Sequence, residues 1–159
     1  IVGGYAPVLS AIEKLFSDGA PSVIVEEYIR GQEATAGVVE GLRGEALYAL
    51  PVIEIIPPAG DFFSYGAKYS GKTREVCPGN FSRVVREEIQ RLARVMHRVL
   101  GLRHYSRSDF IVTSKGVYYL ETNTLPGLTT ESLLPKSLAA VGVSLKEFFS
   151  HLVNLALSR

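Results

Sequence analysis

Residues 118–135 read YYLETNTLPGLTTESLLP, and this stretch changes character halfway along. Its first residues are aromatic and aliphatic, which is typical of a β-strand. Glu121 and Asn123 follow where the predicted strand ends, and a Pro-Gly turn comes directly after them. Side chains two positions apart on a strand point to the same face, so these two residues present oxygen atoms to one place.

The preceding strand supplies a third oxygen ligand. Residues 114–116, Ser-Lys-Gly, predict a three-residue hairpin loop in which the glycine takes a positive φ. In that register Thr113 faces Val117. Counting back along both strands then brings Asp109 opposite Glu121.

Two carboxylates at neighbouring strand ends repel each other unless a cation lies between them. Hard oxygen ligands suit Mg²⁺, which takes its remaining ligands from water and substrate phosphates. An exposed acidic hairpin is the alternative interpretation of Asp109 and Glu121. Asn123 and the turn behind it favour the metal site, because a solvated hairpin needs no such turn after ligand-like residues.

The pattern Glu-x-Asn-x-x-Pro-Gly-x-Thr followed by Ser-Leu-x-Pro resembles the C-terminal part of the D-alanine–D-alanine ligases, which belong to the ATP-grasp superfamily. Three further segments resemble the family in the expected order. VEEYIRGQE (25–33) is similar to its nucleotide-binding strand, FFSYGAKYSG (62–71) to its mobile active-site loop, and SRSDF (106–110) to its Arg-x-Asp. The resemblance extends from about residue 22 to the C-terminus.

This resemblance implies a cytoplasmic ligase of peptidoglycan synthesis. ATP phosphorylates the carboxylate of one D-alanine, and the amine of a second D-alanine attacks the acyl phosphate. The implied cofactors are ATP and two Mg²⁺ ions, with Mn²⁺ as an alternative. The partners are the small-molecule substrates, without nucleic acid or membrane, and a homodimer of the full-length enzyme is left open.

The resemblance also implies a role for individual residues. The metal ligands are Asp109, Glu121 and Asn123. Arg107 and the backbone N–H of Gly127 are implied to stabilise the oxyanion of the tetrahedral intermediate. The acceptor substrate is bound by Ser132 and Leu133.

The nucleotide is implied to bind Glu26, Tyr28, Ile29, Glu33 and Lys68. The two glutamates have an alternative interpretation, as edge-strand charges that discourage aggregation. Lys68 contacts phosphate, and Tyr69 closes over the second substrate. A tyrosine at position 69 favours D-alanine over D-lactate as the acceptor.

Composition excludes several classes of protein. The 159 residues carry a net charge of +1, so no electrostatic feature favours nucleic acid or an anionic membrane. A single cysteine excludes an internal disulfide framework. No apolar run approaches the roughly 20 residues needed to span a bilayer.

Periodicity predicts an α+β fold whose mostly antiparallel sheet is covered by helices. The resemblance implies that this fold is an ATP-grasp C-terminal lobe. We expect residues 1–30 to be a remnant of the middle ATP-grasp lobe. Residues 31–159 form the C-terminal lobe, with a mobile loop at 60–76. The predicted helices cover 10–19, 82–101 and 144–157, and the predicted strands cover 22–29, 33–41, 46–56, 105–112 and 116–123.

The family's N-terminal domain and its loop with two phosphate-binding lysines have no counterpart in this sequence. We therefore expect the chain to be an excerpt of the enzyme and to be inactive by itself. Two alternatives stay open: another ATP-grasp carboxylate–amine ligase, and a non-catalytic binding domain derived from an ATP-grasp fold.

Overall fold

The computed structural model describes residues 2–57 and 73–158. The chain divides into two compact units, Ile1–Arg30 and Gly31–Arg159. The assignment of the first unit to a middle ATP-grasp lobe stays a prediction. Within the described residues, no helix combines the length and the apolarity that a membrane crossing requires.

The first unit contains one helix, α1 (Tyr5–Ser17), which begins five residues before the predicted start. Pro7 lies in its first turn, where a proline is tolerated because that N–H has no helical partner. The strand predicted over 22–29 is wrong, since these residues belong to no sheet. Among the described residues no neighbouring strand pairs with them, and Ile24 is 82% exposed.

The second unit is an α+β domain, as predicted. All of its described strand pairs are antiparallel, and the strand order is β4-β3-β1-β5-β6, with β2 also paired to β1. Its elements are β1 (Gln32–Glu40), β2 (Leu47–Ala49), β3 (Ile53–Ile56), β4 (Arg74–Val76), α2 (Arg83–Val99), β5 (Tyr105–Thr113), β6 (Gly116–Asn123), α3 (Leu133–Ala140) and α4 (Leu145–Leu157).

The single strand predicted over 46–56 is instead two strands along one edge of β1. Val38 pairs with Ala49, whereas Thr35 pairs with Ile53, so the register shifts by one residue between them. The shift spans Pro51, which has no N–H to donate to the ladder. A proline at a bulge of this kind interrupts pairing without ending the sheet.

The segment predicted as irregular and mobile also needs a correction. Arg74–Val76, at the end of the predicted loop 60–76, forms β4 and pairs with β3 through Glu54 and Val76. This pairing supplies partners for the outer edge of β3, whose N–H and C=O groups would otherwise be open. Residues 58–72, which carry the rest of the predicted loop, lie outside the described part of the chain.

Two apolar layers enclose the sheet. Helix α2, capped by Ser82, covers one face, and α3 and α4 cover the other. The predicted capping box at the start of α4 is confirmed, with Ser144 and Glu147 bonded to each other's backbone N–H. The layer under α2 includes Ala34, Ala36, Val38, Ile89, Ala93 and Phe110, and the layer under α3 and α4 includes Val39, Leu50, Leu134, Leu138 and Phe148.

His97, on the inner face of α2, is 1% exposed. Its Nδ1 lies 2.8 Å from the Ser106 hydroxyl, and its Nε2 lies 3.9 Å from Glu40 Oε1 without a hydrogen bond. Burial lowers the pKa of His97 below its ordinary value, and the Glu40 carboxylate only partly offsets that effect. His97 is therefore a core residue whose neutral form the fold favours.

We expect acid to destabilise the fold through His97. Because its folded-state pKa is lowered, its contribution to stability is fully present above the ordinary histidine pKa of about 6.5 and is lost as the pH falls below it. Urea unfolding from about pH 8 to pH 5 should show stability falling with acid, and less steeply in His97→Gln. If the free energy of unfolding fell equally steeply with decreasing pH in wild type and in His97→Gln, the proposed effect of His97 on acid stability would be wrong.

Candidate functional site

Three neighbouring strands place the predicted site residues on the sheet face opposite α2. Asp109 on β5 pairs directly with Glu121 on β6, and Arg107 pairs with Asn123. On the other side of β5, Thr35 of β1 pairs with Asp109. Directly opposed residues of an antiparallel pair point to the same face, so these side chains converge.

The pairing of Asp109 with Glu121 is confirmed, but by a different route from the one predicted. The hairpin connection is one residue shorter than expected, because Thr113 pairs with Gly116 and not with Val117. A β-bulge next to Asp109 then adds one residue to β6 and restores the expected register. The error at the turn and the unforeseen bulge cancel.

The Asp109 carboxylate is held from two sides. Arg107 donates to both of its oxygens, from Nε to Oδ1 at 3.1 Å and from Nη2 to Oδ2 at 3.0 Å. The Thr35 hydroxyl donates to Oδ1 at 2.5 Å. Bidentate guanidinium–carboxylate pairs are among the stronger hydrogen-bonded contacts in proteins, so the rotamer of Asp109 is well defined.

Glu33 adds a further carboxylate to this face, two positions before Thr35 on β1. Burial raises the pKa of Glu33, and the negative charge of Asp109 raises it further. A bound cation would reverse the second effect, because it stabilises both ionised carboxylates. The donor set of carboxylate and amide oxygens fits Mg²⁺. Among residues 2–57 and 73–158, no three His, Cys, Asp or Glu side chains cluster as a metal site.

Asn123 starts the turn that leads to the second group of site residues. Its Oδ1 accepts a hydrogen bond from the backbone N–H of Leu125 at 3.0 Å, which closes a local turn after β6. The polypeptide then passes Gly127 and reaches Ser132, directly before α3. The turn therefore carries the chain from the face of the sheet to a helix N-terminus.

Gly127 and Ser132 lie together, as the proposed chemistry requires. A Cβ atom on Gly127 would come within 2.8 Å of the Ser132 hydroxyl, so only glycine fits without a shift. The hydroxyl bonds to Thr129 Oγ1 at 2.8 Å and makes no capping bond to α3. Leu133 is buried against Ile53 and Ile55, which anchors the first turn of α3 to β3.

The remaining predicted residues belong to the first compact unit or lie outside the described residues. Glu26, Tyr28 and Ile29 belong to the first compact unit, where the two former are exposed. Lys68 and Tyr69 lie outside the described residues. Their roles stay predictions.

Sequence reasoning missed two features of the site. Thr35 contacts Asp109, and strand alternation from Glu33 could have placed it on the same face. Lys136 on α3 forms an ion pair of 2.7 Å with Glu75 on β4, and this contact raises the pKa of Lys136. No local pattern indicates a contact between residues 61 positions apart.

Comparison with known proteins gives one consistent family. A family model described as "D-ala D-ala ligase C-terminus" matches residues 2–154. The chain is 43% identical over 136 residues to a D-alanine–D-alanine ligase of Syntrophobacter fumaroxidans, covering 84% of this chain and 43% of that protein. It is 41% identical over 157 residues to the ligase of Desulfotalea psychrophila, covering 96% and 47%.

The fold has solved counterparts as well. The D-alanine–D-alanine ligase of Bacillus anthracis, crystallised in complex with ATP, superimposes with a TM-score of 0.80 at 31% identity. That match covers 99% of this chain and 50% of the other. The chain thus spans less than half the length of the two relatives named above.

We expect Glu33→Gln to stabilise the isolated chain near neutral pH. A raised folded-state pKa means that ionised Glu33 costs stability at a pH above its ordinary value, and the neutral amide removes that cost. Thermal unfolding should show a higher midpoint for this variant. The exposed Glu45→Gln change is the matched control and should leave the midpoint unchanged. A lower midpoint for Glu33→Gln would show that its charge is already compensated.

Proposed function

Because this chain belongs to the D-alanine–D-alanine ligase family, we propose that it forms the C-terminal ATP-grasp lobe of an enzyme that joins two D-alanines. The γ-phosphoryl group of ATP passes to the carboxylate of one D-alanine. The amine of the second attacks the acyl carbon, a peptide bond forms, and phosphate leaves. The product is a precursor of peptidoglycan, and the reaction belongs to the cytoplasm.

The observation that carries this proposal is the register of β5 and β6. It pairs Asp109 with Glu121 and Arg107 with Asn123, so a metal-ligand set and a guanidinium share one face. A purely structural hairpin does not require oppositely charged and amide side chains to converge there. The same residue types in this order define the family's motif in the sequence.

We propose that Asp109, Glu121 and Asn123 hold two Mg²⁺ ions, for which Mn²⁺ can substitute. When bound, these ions neutralise charge on the nucleotide phosphates during phosphoryl transfer. The contribution of the chain is to fix the oxygens before the nucleotide binds. The ion pair with Arg107 does this for Asp109, and the turn bond to Leu125 does it for Asn123.

Arg107 and the N–H of Gly127 are the proposed donors to the oxyanion that forms when the amine attacks. Arg107 is 8% exposed, so its charge acts in a poorly hydrated environment where it is weakly screened. The hydroxyl of Ser132, adjacent to Gly127, is suited to hold the carboxylate of the second D-alanine together with Leu133. The proposed oxyanion contact of Gly127 and the proposed binding of the second D-alanine therefore both use the segment from Asn123 to α3.

Glu33 is the proposed nucleotide contact in the second compact unit. Glu33 is placed on the same face as Asp109, which supports a ribose or adenine contact beside the phosphates. We propose Glu26, Tyr28 and Ile29 as further nucleotide contacts. Lys68 is proposed to contact phosphate, and Tyr69 to favour D-alanine as the acceptor.

The proposal is tested by assaying the protein as its gene encodes it beside the 159-residue chain. With ATP, Mg²⁺ and D-alanine, the gene product should release phosphate and form the dipeptide. The isolated chain should do neither, since it spans less than half of its relatives. Dipeptide formation by the isolated chain would contradict the second expectation, and an inactive gene product would contradict the proposed function.

Arg107→Ala should lower kcat of the active protein about 100-fold to 1,000-fold, the usual loss for one oxyanion donor. The KM for ATP should change much less, because the proposed role concerns the second chemical step. Arg107→Lys keeps the charge but loses the bidentate geometry. Its kcat should lie between those of the wild type and Arg107→Ala. An Arg107→Ala variant whose loss lies mainly in the KM for ATP would exclude this role.

A further inference from the structure

Thr35 has no role in the reaction proposed above, yet it lies in contact with the proposed metal ligands. It occupies the middle of β1, directly opposite Asp109, and is 1% exposed. Its Oγ1 lies 2.5 Å from Asp109 Oδ1 and 3.0 Å from the carbonyl oxygen of Ser108. A polar side chain buried this completely is retained where its hydrogen bond is made.

The hydroxyl carries a single proton and can donate only one bond. A separation of 2.5 Å lies at the short end of the range for a hydroxyl bonded to a carboxylate, so the proton belongs to the bond with Asp109. Ser108 O, at the longer distance, is the weaker partner. Thr35 is therefore a directed donor to one oxygen of Asp109.

Counting lone pairs shows what this bond leaves available. A carboxylate accepts about four hydrogen bonds, two on each oxygen. Among residues 2–57 and 73–158, Oδ1 receives both Thr35 Oγ1 and Arg107 Nε, whereas Oδ2 receives Arg107 Nη2 alone. Oδ1 is thus saturated, and the free lone pair of Asp109 lies on Oδ2.

We propose that Thr35 is a positioning residue that fixes the Asp109 carboxylate with Oδ2 as the oxygen available to a divalent cation. This inference rests on the proposed function, because it assigns Asp109 as a ligand. Without the hydroxyl, the carboxylate loses a buried donor and can turn about χ2 between the Arg107 guanidinium and the cation. The expected consequence is weaker cation binding, and not only a less stable sheet.

Ser108 provides a matched control. It is 0% exposed and is the neighbour of Asp109 on β5, but its hydroxyl points to the opposite face and bonds to Thr122 Oγ1 at 2.8 Å. Loss of either hydroxyl removes one buried hydrogen bond, so both changes should destabilise the fold to a similar degree. Only the loss of Thr35 removes a contact with Asp109.

The test compares Thr35→Val, Thr35→Ser and Ser108→Ala with wild type by two measurements. The first is the hydrogen exchange of the Arg107 Nε–H, followed by NMR in the 159-residue chain without ligands. The second is Mn²⁺ binding to the gene-encoded protein with a non-hydrolysable ATP analogue, followed by electron paramagnetic resonance. Thr35→Val keeps the side-chain shape, and Thr35→Ala carries the same test if the valine variant does not fold.

We expect Thr35→Val to speed the Arg107 exchange and to weaken Mn²⁺ binding by about tenfold or more, as for other residues that orient metal ligands. Thr35→Ser and Ser108→Ala should match wild type in both measurements. The inference would be overturned if the Arg107 Nε–H exchanged at the same rate in Thr35→Val and in Ser108→Ala. It would also be overturned if these two variants bound Mn²⁺ with the same affinity. If wild type binds no Mn²⁺ with nucleotide, the proposed function fails, and the exchange measurement still decides whether Thr35 positions Asp109.

Discussion

The antiparallel pairing of β1 with β5 is the constraint on which both the core and the candidate site depend. It aligns Ala34 with Phe110 on the face under α2 and Thr35 with Asp109 on the other face. Strand side chains alternate between faces, so a slip of one residue would exchange the two sets. It would bury the carboxylate of Asp109 beneath α2 and expose Phe110. The burial of the small alanines and the large phenylalanine against α2 therefore fixes the chemistry on the opposite face.

That opposite face is built at some cost to stability. The charge of Asp109 helps to raise the pKa of Glu33, and within the described part of the chain only Arg107 supplies a positive partner by direct contact with Asp109. Removing one partner of a partly buried ion pair leaves the other uncompensated, so Arg107 and Asp109 depend on each other in the free protein. An excess of acidic oxygen at one point is unfavourable for an isolated domain. It is the arrangement that a site for divalent cations and a polyphosphate needs.

The second half of the site depends on how α3 packs against the sheet. Leu133 packs with Ile53 and Ile55, and Lys136 forms an ion pair with Glu75 of β4. Together these contacts fix the first turn of α3 to the far edge of the sheet, and with it the Ser132 hydroxyl. Gly127 then approaches that hydroxyl because it has no Cβ. The acceptor side of the site is thus tied to β3 and β4, while the metal side is tied to β5 and β6.

Local patterns in the sequence were enough for the fold class, for the spacing of α2 and for the capping box of α4. Each depends on residues close together in the chain, whose periodicity and turn chemistry report directly on local geometry. The split at Pro51, the bulge beside Asp109, the strand Arg74–Val76 and the contacts of Thr35 were decided only by the tertiary structure. A bulge or an edge strand exists because a neighbouring strand offers N–H and C=O groups to pair with, and the pattern within one strand does not report how its neighbour pairs. The same reason explains residues 22–29, whose β-branched composition favours a strand although no described strand pairs with them.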